Sequence, residues 1–232
     1  GVTVTFPANK TLTINKALEI DDDTDLRFAD DSALIYDGDD NAFDIPSGAT
    51  VKLGDDVRLT FESKIKLTGA SGAGNEITFS PLGAGDQWDY FDLKADGNDF
   101  DFVVFDGGYK TVEIRSDNNT FDNVTFENGW RGVSSYSHTG GGRSSFQLND
   151  CTVSDNSGVG VVAYNTDFGM DDCTVEDNGE AGVWLTNAET TDGFTNNTIT
   201  NNAATASTRA GLEVNAGGEL DAWDSAYNTI KN

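Results

Sequence analysis

The sequence predicts an all-β solenoid of stacked parallel coils, and three observations predict it. Short apolar segments recur between turns rich in Asn, Asp and Gly. Five of them align on Thr125, Thr152, Thr174, Thr198 and Thr229, at separations of 27, 22, 24 and 31 residues. No stretch reads as a helix that could cross between strands. A period of this length, with several strands in each unit, belongs to a chain whose coils stack on one another.

The aligned segments are 123–128, 150–156, 172–178, 196–202 and 228–232. Most are followed by a second apolar segment: Gly132-Val133, Gly160–Ala163, Gly182–Leu185 and Gly211–Val214. Alternation within the strands separates inside from outside. In Phe146-Gln147-Leu148 and Cys151-Thr152-Val153 the apolar members point inward, and Gln147 and Thr152 point outward. Cys151 and Cys173 then take the same inward position on successive coils, about 5 Å apart. Two stacked buried thiols are the favoured reading; a disulfide between coils is the alternative.

The first half repeats less regularly but carries the same alternating strands. They are Val2–Phe6, Leu12–Ile14, Leu26–Phe28, Ala33–Tyr36, Ala42–Ile45, Val51–Leu53, Val57–Phe61, Ile65–Leu67 and Ile77–Phe79. No linker or composition break interrupts the chain. The expectation is one domain over 1–232, less regular over 1–85 and regular over 86–232, with about ten coils and no capping helix.

Composition agrees and restricts function. The chain has 40 Asp plus Glu against 14 Lys plus Arg, a net charge of −26, and 26 Gly. Asp and Gly favour turns over helix interiors. So acidic a surface excludes a nucleic-acid partner, which needs a basic face. No window approaches the ~18 apolar residues of a membrane span. The chain opens at Gly1 without an initiator Met, which reads as a processed, exported product at the cell surface.

Over residues 118–202 the repeated Asn/Asp-x-Thr and Gly-Val units resemble the right-handed parallel β-helix proteins of the pectin-lyase-like superfamily. Residues 85–93, with Trp88, are similar to the Gly-x-Trp coil that precedes such repeats in secreted bacterial and archaeal members. The resemblance implies a single-stranded right-handed parallel β-helix. It leaves activity open, because the superfamily holds lyases, hydrolases, epimerases, adhesins and structural fibres.

Two enzyme patterns of that superfamily bear on these residues. Asn165-Thr166-Asp167 and Asp171-Asp172 resemble the first two motifs of polygalacturonase-like members, whose carboxylates act as acid and base. The Gly-His-Gly and Arg-x-Lys motifs are missing, since the sole histidine, His138, lies earlier in the chain. The basic motif of pectate-lyase-like members is absent too. Asp167, Asp171, Asp172 and His138 are therefore site residues only under an alternative enzyme reading, and no catalytic residue is assigned.

Other candidates are non-catalytic. No cofactor is required, though Ca²⁺ is a weaker expectation. Asp21, Asp23, Asp37 and Asp39 recur near a 16-residue spacing, and stacked turns could place them in a column. Trp184 should face outward, since Val183 and Leu185 face inward; with Trp130 it is a candidate contact for a polysaccharide or protein. Asn9, Asn118, Asn123 and Asn196 begin Asn-x-Thr glycosylation sequons.

The ends carry the leading functional expectation. A solenoid exposes an unpaired coil at each end unless it is capped. Val2, Val4 and Phe6 at one end and Thr229 and Ile230 at the other form a surface for head-to-tail stacking. The expected protein is an extracellular, self-assembling subunit of a filament, sheath or surface fibre. A carbohydrate-active or carbohydrate-binding β-helix and a module of a larger adhesin are the alternatives.

Overall fold

A computed structural model describes residues 2–21, 24–203, 211–215, 217–218 and 228–231, with backbone only at 191–192. The strands among these residues are short because each coil turns after two to seven residues. Long parallel sheets of ten, nine and six strands result, with a two-strand sheet of Leu18–Glu19 and Phe43–Asp44. Every pairing is parallel and joins a strand to its equivalent on the neighbouring coil. Val2–Phe6 pairs with Thr24–Phe28, for example, and Thr174–Glu176 pairs with Thr198–Thr200. The ten-strand sheet crosses the change in regularity near residue 85 without a break, as Ile77–Pro81 pairs with Val103–Asp106.

The turn composition has a specific cause. At the corner after the ten-strand sheet the chain bends through Asn9, Asp31 and Asp56 in early coils and through Asn128, Asp155, Asp177 and Asn201 in later ones; at the corner before that sheet it bends through Asn123, Asp150, Asp172 and Asn196. All have φ between 51° and 58°. This left-handed conformation penalises most L residues and is tolerated best by Gly, Asn and Asp. The abundance of Asn and Asp therefore follows from repeating the same bend on every coil. All four sequon asparagines, including Asn118 at φ 57°, occupy such bends.

The core is a set of columns running along the axis. One contains Val4, Leu26, Val51, Phe79, Phe105, Phe126, Val153, Val175, Ile199 and Ile230 in register. Its eight members from Leu26 to Ile199 are buried, while Val4 and Ile230 at its ends are 42% and 40% exposed.

Two expectations need correction. Ten strands in one sheet and nine in the next give eight to nine turns, not ten, because inserts lengthen several coils. The acidic turns near a 16-residue spacing do not form one column, since 16 residues are less than a full turn. Asp21 precedes a strand of the ten-strand sheet, Asp37 follows one of the nine-strand sheet, and Asp55 follows one of the ten-strand sheet. Asp23 lies outside the described residues.

Cys151 and Cys173 are buried, free thiols on successive coils. Each sulfur donates to carbonyls, Cys151 to Phe121 and Asn149, Cys173 to Leu148 and Asp171. Burial first, and Cys173 next, push the Cys151 thiol well above its ordinary range.

Candidate functional site

The residues of the alternative enzyme reading do not converge. Asp167 and Asp171 lie on one strand, Thr166–Asp171, and face outward four residues apart. At roughly 3.3 Å per residue their separation is about 13 Å, beyond the ~6.5–9.5 Å of an inverting carboxylate pair. Asp167 is ion-paired with Arg143, which also reaches Glu189 at 3.1 Å. Asp171 accepts hydrogen bonds from Thr195 and Asn196. Asp172 occupies one of the left-handed bends.

The hydrogen bonds of His138 go elsewhere. Its Nε2 lies 3.1 Å from Asp96 Oδ1, and its Nδ1 accepts from Gly140 N at 2.8 Å. Asp117 N also donates to Asp96 Oδ1, at 2.8 Å. Burial and the neighbouring Asp96 raise the Asp117 carboxyl, against the opposing pull of His138. Among the described residues, Asp96, Asp117 and His138 form the one group with three metal-ligating atoms within 4.8 Å of one another. With Nδ1 acting as acceptor, a neutral imidazole carries its proton on Nε2, facing Asp96. These contacts tie the glycine-rich loop to the turn that holds Asp96. Asp21, Asp37 and Asp39 do not belong to this group.

The outer face of the nine-strand sheet holds charge that sequence reasoning missed. Asp92 and Glu113 occupy adjacent rungs and are only 2% and 4% exposed. Arg115 lies 3.5 Å from Asp92 and bonds to Glu113, which also meets Lys110 at 3.2 Å. Burial pushes the Asp92 carboxyl up to about 6, with Glu113 adding to the rise and Arg115 opposing it. The pair stands 21 residues apart, visible only once the bulge between Tyr90 and Phe91 is known.

Farther along that face, Tyr109 stacks on Trp130 with ring centroids 4.7 Å apart and planes 9° from parallel. The Arg131 guanidinium lies 4.1 Å from the Trp130 ring centre and bonds to the Tyr136 hydroxyl. Ser134 Oγ and Arg131 Nε are buried here without a hydrogen-bond partner. Tyr109 and Tyr164 are 41% and 45% exposed. Trp184 points away from the bore as expected, but it is half-buried against Val159, Val162 and Ala181 rather than standing as an open platform.

The N-terminal end is a third feature. Phe6, Leu12, Ile14, Leu18 and Ile20 line the first coil and are only partly buried. With Val4, Leu26, Phe28 and Leu34 they surround an apolar cavity of about 260 Å³ at the mouth of the bore. The edge strand Val2–Phe6 pairs on one side only among the described residues. Leu12 and Ile14 were legible as apolar strand positions, Leu18 and Ile20 were not, and the role of all four required knowing which coil lies at the end.

Fold and surface together define a parallel β-solenoid with a packed bore and an open apolar mouth. A family model described as a right handed beta helix region matches residues 83–232, and the chain belongs to that family. No curated protein and no solved structure matched. No helix among the described residues is long and apolar enough to cross a membrane.

Proposed function

We propose that the chain is an extracellular structural subunit of a filament, sheath or surface fibre that self-associates through its ends. The open mouth carries this reading: a half-buried apolar ring beside a bare strand edge gains by being covered. Burying apolar area is worth roughly 25 cal/mol per Å², so even a few hundred Å² matters. The charge of −26 supports ends over sides, because lateral contact sets two acidic surfaces together. It also suits a saline exterior, where salt shortens the range of that repulsion.

The expected outcome is concentration-dependent elongated particles, seen by sedimentation and electron microscopy and favoured by added salt. Val4→Asp puts a charge at the mouth and should return the protein to monomer with its circular dichroism unchanged. A monomer at every concentration and salt level would overturn the proposal.

The aromatic strip supports a second reading, a saccharide-binding face, in keeping with the resemblance to pectin-lyase-like proteins. The observation favouring it is the Tyr109–Trp130–Arg131 stack, whose outer ring, Tyr109, is exposed. A sugar ring can stack on such a platform. Glycan-array binding lost in Trp130→Ala would support this reading, and an array without hits would remove it.

A further inference from the structure

We infer that the covering partner of the N-terminal mouth is the C-terminal end of a second copy, joined in one register within the ten-strand sheet. Thr229–Lys231 of one copy pairs in parallel with Val2–Phe6 of the next. Ile230 lies against Val4, Thr229 against Thr3 and Lys231 against Thr5. This inference rests on the end-to-end reading above and names its partner face and geometry.

Three observations carry it. First, among the described residues, four of the six exposed large apolar side chains lie on strands near the two ends: Val2 and Val4, and Val214 and Ile230. Val4 and Ile230 terminate the same inner column, so stacking continues it across the junction without changing its register. Second, the outward residues of the first two strands are Thr3, Thr5, Thr11 and Thr13. Lys231 therefore meets a hydroxyl rather than a like charge, in a chain whose surface is otherwise dense with Asp. Thr229 on Thr3 repeats the Thr125–Thr152–Thr174–Thr198–Thr229 ladder already formed within the chain. Third, Val2–Phe6 and Thr229–Lys231 are the two edge strands of one sheet among the described residues, so a parallel junction between copies extends that sheet.

Register can be read by cross-linking. In-register parallel neighbours stand about 4.8 Å apart, within the Cα range a disulfide spans; a pair offset by two residues stands about 8 Å apart, outside it. The full chain carrying Thr3→Cys and Thr229→Cys, treated with oxidised glutathione, should give a ladder of covalent multimers on non-reducing gels. Thr5→Cys with Thr229→Cys should give none. Cys151 and Cys173 are each 1% exposed and should stay out of the reaction, which the unsubstituted chain controls for. Elongated particles that cross-link only through Thr5→Cys, or through neither pair, would overturn this register while leaving end-to-end association standing. Particles no larger than a monomer, with no cross-link, would overturn both.

Discussion

The bore is built differently in its two halves. From Phe28 to Phe126 it is filled with rings. Phe91 alone packs against Phe61, Phe79, Phe100 and Phe105, with centroids 4.5, 5.1, 6.0 and 5.1 Å away. From Val153 onward small aliphatic side chains dominate, and a buried asparagine ladder runs beside them. Asn156 donates Nδ2 to Asn178 Oδ1, and Asn178 donates Nδ2 to Asn202 Oδ1, each at 2.9 Å. The outside changes too, since residues 1–115 hold ten of the 14 bases. There the coils are joined by pairs such as Arg58–Asp89, Lys66–Asp99 and Lys94–Glu62. Rings tolerate coils of unequal length, because they fill whatever volume an insert leaves. An amide ladder demands the same residue at the same height on every coil. The aromatic half is consequently irregular in sequence, and the amide half repeats.

Removing a ring should break the first mode most severely. Phe91→Ala deletes a side chain with no exposed surface and four ring neighbours, an expected loss of about 4 kcal/mol. Hydrogen exchange should rise over residues 58–106 while residues 150–200 keep their protection. A uniform rise along the chain would show that the two halves unfold as one unit.

Cutting the ladder should cost slightly less. Asn178 Oδ1 accepts from both Asn156 N and Nδ2, and its own Nδ2 donates to Val153 O and Asn202 Oδ1. Asn178→Ala removes all four of these bonds and leaves the Asn156 N–H buried without its side-chain acceptor, an expected loss of about 3 kcal/mol in chemical denaturation. Asn178→Leu restores volume without hydrogen bonds and should rescue little. Full rescue by leucine would mean that packing sets the register in both halves.

The charged rivets outside the aromatic half are a weaker device, and one of them works against stability. Asp92 titrates near 3.9 in an unfolded chain but at about 6 when folded. The folded state therefore holds this proton more tightly. The penalty for burying the charge is fully present above pH ~6 and disappears below pH ~4, so this group adds stability as pH falls through that window. Asp92→Asn should raise stability at pH 7 by about 2 kcal/mol and flatten the melting temperature between pH 4 and 6. An unchanged slope would mean that Arg115 and Lys94 keep the carboxylate ionised throughout.

Legibility in the sequence follows the same division. The regular coils were readable because the same bend on every coil calls for Asn or Asp, as Asn123, Asp150, Asp172 and Asn196 show. Trp88 was readable as a motif, but its burial was not. Its ring nitrogen donates to Asp106 O, and a Cβ on Gly108 would lie 2.9 Å from the ring. The ion pairs were hidden because their partners lie 31 to 33 residues apart across coils lengthened by inserts. The acidic turns misled because spacing along a chain gives height on a solenoid only after the coil length is known.

Cys151 and Cys173 test where the amide device begins. Their column continues into Asn197 and Asn228: Cys151 N donates to Cys173 Sγ, Cys173 N to Asn197 Oδ1, and Asn197 N to Asn228 Oδ1. The side chains donate in parallel, the thiols to Phe121 O and Leu148 O, the amides to Met170 O and Phe194 O. Each thiol thus fills an asparagine position, with a weaker donor and a weaker acceptor. Cys173→Asn should be accepted and raise stability by about 1 kcal/mol, roughly one improved hydrogen bond. Cys173→Val keeps the apolar character, loses the polar contacts and should lower it. The reverse order would show that sulfur packing holds this column, and that the amide device starts one coil later, at Asn197.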